Sequence, residues 1–80
     1  MDAQDLVRTR IIELCAKKRW AYNALAVFSG IPPSTLKNII NGKSGNTGIV
    51  TIKKICDGLE ISLAVFFDTD DFKKLEQEIE

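Results

Sequence analysis

The polar residues between positions 33 and 42 place hydrogen-bonding chemistry on one face of a short predicted helix. In the stretch PPSTLKNIING, Leu36, Ile39 and Ile40 repeat at helical spacing and are expected to turn inward. Pro33 suits the first turn of such a helix, because its φ is already helical and its missing N–H would have no partner there. A helix over about 33–41 then leaves five polar side chains facing outward, namely Ser34, Thr35, Lys37, Asn38 and Asn41.

Covalent and metal chemistry finds little support in the composition. The chain contains no histidine and two cysteines, Cys15 and Cys56. A zinc site would need more ligands than two isolated thiols, and a Cys/His catalytic pair is excluded by composition. Both cysteines fall at apolar positions of predicted helices, so reduced core cysteines are expected, with a disulfide as the alternative. The sequence predicts neither an enzyme nor a metal or cofactor site.

A second short helix is predicted just before the first one, with a sharp turn between them. In YNALAVFSGI, Leu25 suits the core, and the small Ala26 suits a close crossing between helices. Gly30 can adopt the positive φ that ends a helix, and Ile31 then fills the corner. Gly42 is expected to end the following helix in the same way.

Three further helices complete a predicted five-helix bundle. The first covers about residues 5–18 and has an apolar stripe of Val7, Ile11, Leu14 and Cys15. The fourth is capped by Asn46 or Thr47, is loosened at its end by Gly58, and has an inner face of Ile49, Ile52, Ile55, Cys56 and Leu59. Ser62 is expected to cap a fifth helix over residues 63–67.

With these residues the chain resembles the phage-repressor-like (Xre, lambda repressor-like) family of helix-turn-helix DNA-binding proteins. The similarity extends from about Ile11 to Phe67. The residues that match the family pattern are Ile11, Leu14, Trp20, Leu25, Ala26, Ser29, Gly30, Ile31, Leu36, Gly42, Ile52, Ile55, Leu59, Ser62, Leu63 and Phe67. The resemblance implies an all-α, five-helix DNA-binding domain over residues 1–67. Residues 68–80 lie beyond the family core, and their own sequence pattern predicts a short helical extension.

The resemblance also implies which residues read DNA bases. In relatives, the second helix of the motif lies in the major groove, and its early outward residues contact base edges. The corresponding residues here are Ser34, Thr35, Lys37 and Asn38. Asn38 could bind adenine, Lys37 could bind guanine, and each bidentate pair is worth roughly 1–3 kcal/mol of discrimination. Lys37 could equally reach a phosphate.

Phosphate contacts are implied at the start of the second helix and after the third. The residues concerned are Tyr22, Asn41, Lys43 and Ser44, together with backbone N–H groups of the glycine-containing loop. Tyr22 stands where relatives have a glutamine, and its hydroxyl has a different reach. Pro32 stands where they have a Ser or Thr cap, which removes a side-chain acceptor worth about 1 kcal/mol.

The formal net charge of zero hides a separation along the chain. Residues 1–56 carry nine basic and three acidic groups, which gives +6, whereas residues 57–80 carry two basic and eight acidic groups, which gives −6. Such a polarity can orient the approach of a polyanion binder. The alternative is that the charges only keep the domain in solution.

Two apolar features leave alternatives open. Trp20 is expected to pack at the edge of the core, with an exposed contact with DNA or a partner as the alternative. An exposed Phe28 beside Val27 would reflect contact with the first helix or another chain. In the acidic extension, Phe72, Leu75 and Ile79 form a narrow apolar stripe on a predicted helix. That stripe either packs on its own domain or forms a homodimer contact across a two-fold operator.

The resemblance and the composition together predict a sequence-specific, DNA-binding transcriptional regulator. Family precedent favours a repressor that acts as a homodimer on double-stranded DNA, and no small-molecule site is expected. A membrane partner is not expected either, because no segment approaches about eighteen consecutive apolar residues. The N-terminus lacks an apolar signal core, which predicts a cytoplasmic protein. The alternatives are a protein-interaction module on the same fold and a non-specific DNA binder.

Overall fold

A computed structural model describes residues 2–77 and 79. Over these residues the chain forms six α-helices and no strand: α1 (Ala3–Lys18), α2 (Tyr22–Ser29), α3 (Pro33–Ile40), α4 (Ile49–Leu59), α5 (Leu63–Phe67) and α6 (Asp70–Lys73). Helices α1 to α5 are the predicted bundle, and α6 is the short extension. Over the same residues, none of the helices has the length and apolar character needed to cross a membrane.

Helix α1 begins two residues earlier than predicted because Asp2 supplies an N-cap. The Asp2 carboxylate accepts a hydrogen bond from the Asp5 N–H at 2.9 Å, which satisfies one of the free donors of the first turn. The helix ends at Lys18, and its C-cap is Arg19, whose backbone adopts the left-handed conformation with φ of 57°. Its buried residues are Leu6, Val7, Ile11 and Cys15.

The turn between α2 and α3 confirms the predicted role of glycine. Gly30 has φ of +67°, and its N–H bonds to the carbonyls of the last turn of α2. The Ile31 N–H donates to the Ala26 carbonyl at 3.1 Å, and the Ile31 side chain is buried. Gly42, with φ of +74°, closes the end of α3 in the same way.

The start of α4 differs from the prediction. Gly48, not Asn46 or Thr47, is the N-cap, and it makes no side-chain cap bond. The Thr47 hydroxyl is occupied elsewhere, because it accepts a hydrogen bond from the Gln4 side-chain amide at 2.8 Å. Ile49 is the first residue of the helix and is exposed, so the inner face begins one turn later, at Ile52.

The expectation that Gly58 loosens the end of α4 was wrong. Gly58 is buried inside the helix, which continues to Leu59 and ends at Glu60. A Cβ atom at position 58 would lie 2.9 Å from the backbone nitrogen of Ser29 and 3.0 Å from the carbonyl carbon of Phe28. It would lie closer still to the Ser29 hydroxyl oxygen. The glycine therefore allows α4 to approach the α2 backbone directly.

Arg10 is nearly buried and links α1 to α5 by hydrogen bonds. Its side chain is only 10% exposed. Nε donates to the Phe66 carbonyl at 2.8 Å, and Nη2 donates to the Val65 carbonyl at 3.0 Å. Nη1 forms an ion pair with Glu13 at 2.6 Å. These bonds hold α1 against the last turn of α5, where a cation is favoured by the helix dipole.

The sequence predicted one helix for the C-terminal apolar stripe, and this prediction was wrong. Helix α6 is capped by the Thr69 hydroxyl and ends at Lys73. The Phe72 ring packs 4.9 Å from the Phe67 ring between centroids, so this residue contacts its own domain. Leu75 is half-buried outside any helix, and Ile79 is 87% exposed. Short helices are marginal on propensity alone. The single turn of α6 is therefore stabilised by the packing of Phe72.

Both cysteines are reduced and buried, as predicted. Burial raises the pKa of each thiol above its ordinary value, although Lys53 lowers the pKa of Cys56 to a smaller extent. The folded state therefore retains the thiol protons more tightly than the unfolded state does. This contribution is fully present below the pKa of an unfolded thiol and is lost as pH rises through the higher folded pKa.

We expect urea midpoints to fall as pH rises through the range in which unfolded thiols ionise. Urea titrations at neutral and alkaline pH measure this change. The double variant Cys15→Ala/Cys56→Ala is the control, and its midpoint should fall less over the same range. An equal fall in both proteins would assign the alkaline loss of stability to other groups.

Candidate nucleic-acid interface

The outward face of α3 carries the four residues predicted to read bases. Leu36, Ile39 and Ile40 are buried, which sets the rotation of the helix about its axis. Ser34, Thr35, Lys37 and Asn38 are all exposed as a result. The face therefore presents hydroxyl, ammonium and amide groups, which can hydrogen-bond the edges of base pairs.

A groove between α2 and α3 brings predicted base-reading and phosphate residues together. It has a volume of about 530 Å³ and is lined by Tyr22, Asn23, Pro33, Ser34, Lys37, Ile40 and Asn41. Tyr22 is the first residue of α2, and Ala21 before it provides no side-chain cap. The first N–H groups of α2 thus lack a side-chain acceptor at the positive end of the helix dipole, a setting that favours anions.

The loop after α3 uses its backbone N–H groups internally. The Lys43 and Ser44 N–H groups both donate to the Asn38 carbonyl, at 2.9 and 3.3 Å, and the Gly42 N–H donates to the Ile39 carbonyl at 3.2 Å. These three N–H groups satisfy free carbonyls at the end of α3, and phosphate binding by the backbone of the loop stays a prediction. The exposed Lys43 side chain and the half-buried Ser44 side chain remain as candidates in this loop.

Helix α1 holds this region in place through two residues that sequence reasoning did not single out. Arg8 Nε donates to the Ile40 carbonyl at 2.7 Å, at the C-terminal end of α3. The Gln4 side chain forms two hydrogen bonds of 2.8 Å with Thr47, one from Nε2 to the hydroxyl and one from the Thr47 N–H to Oε1. Gln4 and Arg8 lie four residues apart and so share one face of α1, which is the signal that the sequence offered.

The positive charge of the candidate face comes from two lysines. Lys37 and Lys43 are exposed and form no ion pair within residues 2–77 and 79. Arg8 and Arg10, by contrast, are bonded to carbonyl oxygens at helix ends. Lys53 pairs with Asp57, and Lys17 pairs with Glu13 at 3.4 Å. The face is less basic than the +6 charge of residues 1–56 indicates.

Two comparisons identify known proteins that are similar to this chain. Residues 10–71 match the Cro/C1-type HTH DNA-binding domain. The crystal structure of the prophage Lp1 protein 11 superposes with a TM-score of 0.81 at 29% sequence identity, over 94% of this chain and 100% of that chain. No curated protein matches the sequence.

Proposed function

The chain belongs to the Cro/C1-type HTH DNA-binding domain family, and from this premise we propose that it is a sequence-specific transcriptional regulator, a repressor that binds double-stranded DNA as a homodimer. DNA binding is assigned to residues 1–67, and residues 68–80 are treated as an extension. Repression then results from occupation of an operator that other proteins would use.

The orientation of α3 is the observation that carries this proposal. Burial of its apolar residues directs Ser34, Thr35, Lys37 and Asn38 away from the core. The Asn38 amide matches the donor and acceptor pattern of adenine, and Lys37 can donate to guanine O6 and N7. The Thr35 methyl group suits contact with the methyl group of thymine. In the major groove these groups would select a short half-site.

Phosphate contacts would set the position of α3 on the duplex. Tyr22 and Asn41 lie on the groove beside the reading face, and Lys43 and Ser44 follow α3. The N-terminal end of α2 adds a favourable partial charge for a phosphate. Contacts of this kind fix register and orientation, whereas base contacts supply the sequence preference.

Selection from a random duplex library at near-physiological salt tests the proposal. We expect enrichment of a two-fold symmetric motif, with half-sites about one helical turn apart. Retention of DNA without enrichment would favour a non-specific binder. Failure to retain DNA would favour a protein-interaction module on the same fold.

Alanine at position 37 or 38 is expected to relax the selected motif. Loss of one bidentate pair should lower affinity for the best site by roughly 10- to 100-fold, with little change on sites already altered at the contacted base pair. Fluorescence anisotropy on the selected site and its single-base variants measures this difference. Lys54→Ala is the matched control, because Lys54 is exposed on α4, outside α3 and the loop that follows it. An equal loss on every sequence would assign the residue to phosphate binding.

A further inference from the structure

An exposed apolar surface, rimmed by positive charge, lies where α1 ends and α2 ends. Val27 is 74% exposed and Phe28 is 59% exposed. The Phe28 ring stacks on Trp20 with 4.8 Å between centroids, and Lys18 Nζ lies 5.4 Å from the centroid of the Trp20 ring. We call this the aromatic-basic surface, and it consists of Lys17, Lys18, Arg19, Trp20, Val27 and Phe28.

The aromatic-basic surface lies on a different face of α2 from the groove beside α3. Tyr22 lines that groove together with Ser34 and Lys37. On a regular helix Phe28 lies about 240° around the axis from Tyr22 and about 9 Å further along it, and Val27 lies about 140° around. DNA bound at α3 would therefore leave this surface uncovered.

Charge and apolarity together define what the surface can bind. Lys18 and Arg19, which form no ion pair among the described residues, favour carboxylates, and Val27 and Phe28 favour an aliphatic side chain. The same chain contains such a segment, LEQEIE at residues 75–80, with three glutamates and an isoleucine. Ile79 is 87% exposed, and the described residues of this segment lie outside any helix. We propose that the acidic segment, residues 75–80, of a second copy docks on the aromatic-basic surface.

The segment runs away from the aromatic-basic surface of its own chain. Asp71 and Phe72 share a groove with Leu6 and Glu13, and Leu75 and Gln77 share the next groove with Leu6 and Asp2. The chain after α6 thus runs towards the N-terminal end of α1, away from Lys17.

Chain length leads to the same conclusion. Lys17 lies eleven residues after Leu6, about 17 Å along α1. The proposed segment, residues 75–80, spans about 17 Å between its first and last Cα atoms when fully extended. To meet its own surface it would have to leave the groove beside Leu6 and extend fully along α1, whereas the segment of a second copy needs no such extension. Reciprocal exchange between two copies gives a closed, two-fold symmetric dimer.

This inference rests on the homodimer of the proposed function, but it does not depend on which DNA sequence is read. The test therefore measures self-association of the full chain without DNA. Sedimentation equilibrium should show a reversible equilibrium between the 8.9 kDa chain and its dimer, weakened by salt. Trp20, the single tryptophan, should shift its emission to shorter wavelength as the dimer forms.

Charge reversal in both partners provides the decisive variants. Lys18→Glu and Glu76→Lys should each weaken the dimer by about tenfold, and their combination should restore it, because the two charges would still be opposite. Ile79→Lys should abolish the emission shift. Val50→Glu is the matched control, since Val50 is 65% exposed but lies on α4, and it should leave the dimer unchanged. Helix content by circular dichroism verifies that each variant is folded.

Three results would overturn the inference. The chain could stay monomeric up to about 1 mM, a concentration that would reveal even a weak dimer. The dimer could be insensitive to Ile79→Lys, or it could be lost with Val50→Glu and retained with Lys18→Glu, which would locate the interface elsewhere. Operator binding, measured separately, would then still support the proposed function without this dimer.

Discussion

Alanine at position 58 is expected to lower the free energy of unfolding by about 3 kcal/mol, at the upper end of the usual cost of an overpacked contact. The added Cβ would press on backbone atoms of Ser29 and Phe28 at 2.9 and 3.0 Å. Backbone atoms cannot rotate away as a side chain can. Relief would require α2 and α4 to separate, and their contact is the centre of the core. In a domain of this size the loss corresponds to a fall in Tm of roughly 12–24 °C.

Gly45→Ala is the matched control for this experiment. A Cβ at position 45 meets nothing within 4 Å, and this glycine does not have a positive φ. Its unfolding midpoint in urea should match that of the unaltered protein within error. Similar midpoints for Gly45→Ala and Gly58→Ala would contradict the close approach of α2 and α4.

A substitution at Ser29 separates the side-chain part of this clash from the backbone part. The Ser29 hydroxyl is buried and has no hydrogen-bond partner among the residues that the structure describes, so removing it should cost little. Ser29→Ala combined with Gly58→Ala should recover part of the lost stability, because the side-chain part of the clash disappears and the backbone part remains. The loss in free energy of unfolding that remains in the double variant measures the clash with the backbone.

Methionine at position 10 is expected to have an effect of similar size, also about 3 kcal/mol. Arg10 is nearly buried and bonds the carbonyls of Val65 and Phe66 as well as Glu13. Methionine retains much of the apolar stem but leaves these carbonyl groups without their donor. Hydrogen bonds from a charged donor contribute more than neutral ones, and the unmet acceptors add a desolvation cost.

Urea unfolding of Arg10→Met should be compared with that of Lys17→Met. Lys17 contacts the same Glu13 carboxylate, but across an exposed surface at 3.4 Å. Exposed ion pairs contribute between zero and about 1 kcal/mol, so Lys17→Met should be close to neutral. Equal losses in the two variants would show that the carbonyl bonds of Arg10 add nothing beyond the ion pairs with Glu13, and would contradict the role of Arg10 in holding α1 to α5.

The turn between α2 and α3 was predictable because each of its requirements is local. Gly30 ends a helix, Ile31 fills the corner, and the apolar spacing of α3 sets which side faces out. Gly58 was misjudged because its role depends on a backbone from another helix. Near a helix end a glycine predicts fraying, and only the packed α2 shows that the absent Cβ makes room.

The candidate site was predictable in part for a similar reason. The reading face follows from the helical period, and the resemblance then identifies the residues on it. The sequence shows that Arg8 and Arg10 are charged, but not which backbone carbonyl oxygens accept their hydrogen bonds. The same limit applies to the loop after α3, where the backbone donors of Lys43 and Ser44 are taken up by the helix end that precedes them.

The bonding of Arg8 and Arg10 to helix-end carbonyls has a consequence for the thermodynamics of DNA association. Ions are released from DNA in proportion to the phosphates that a protein neutralises, and the logarithm of affinity falls by about 0.9 per contact for each unit of log salt concentration. Arginines held inside the domain release none. With Lys37 reading a base, a dimer that neutralises phosphates with Lys43 of each protomer should show a slope near −1.8 in a salt titration, far shallower than its count of basic residues would give.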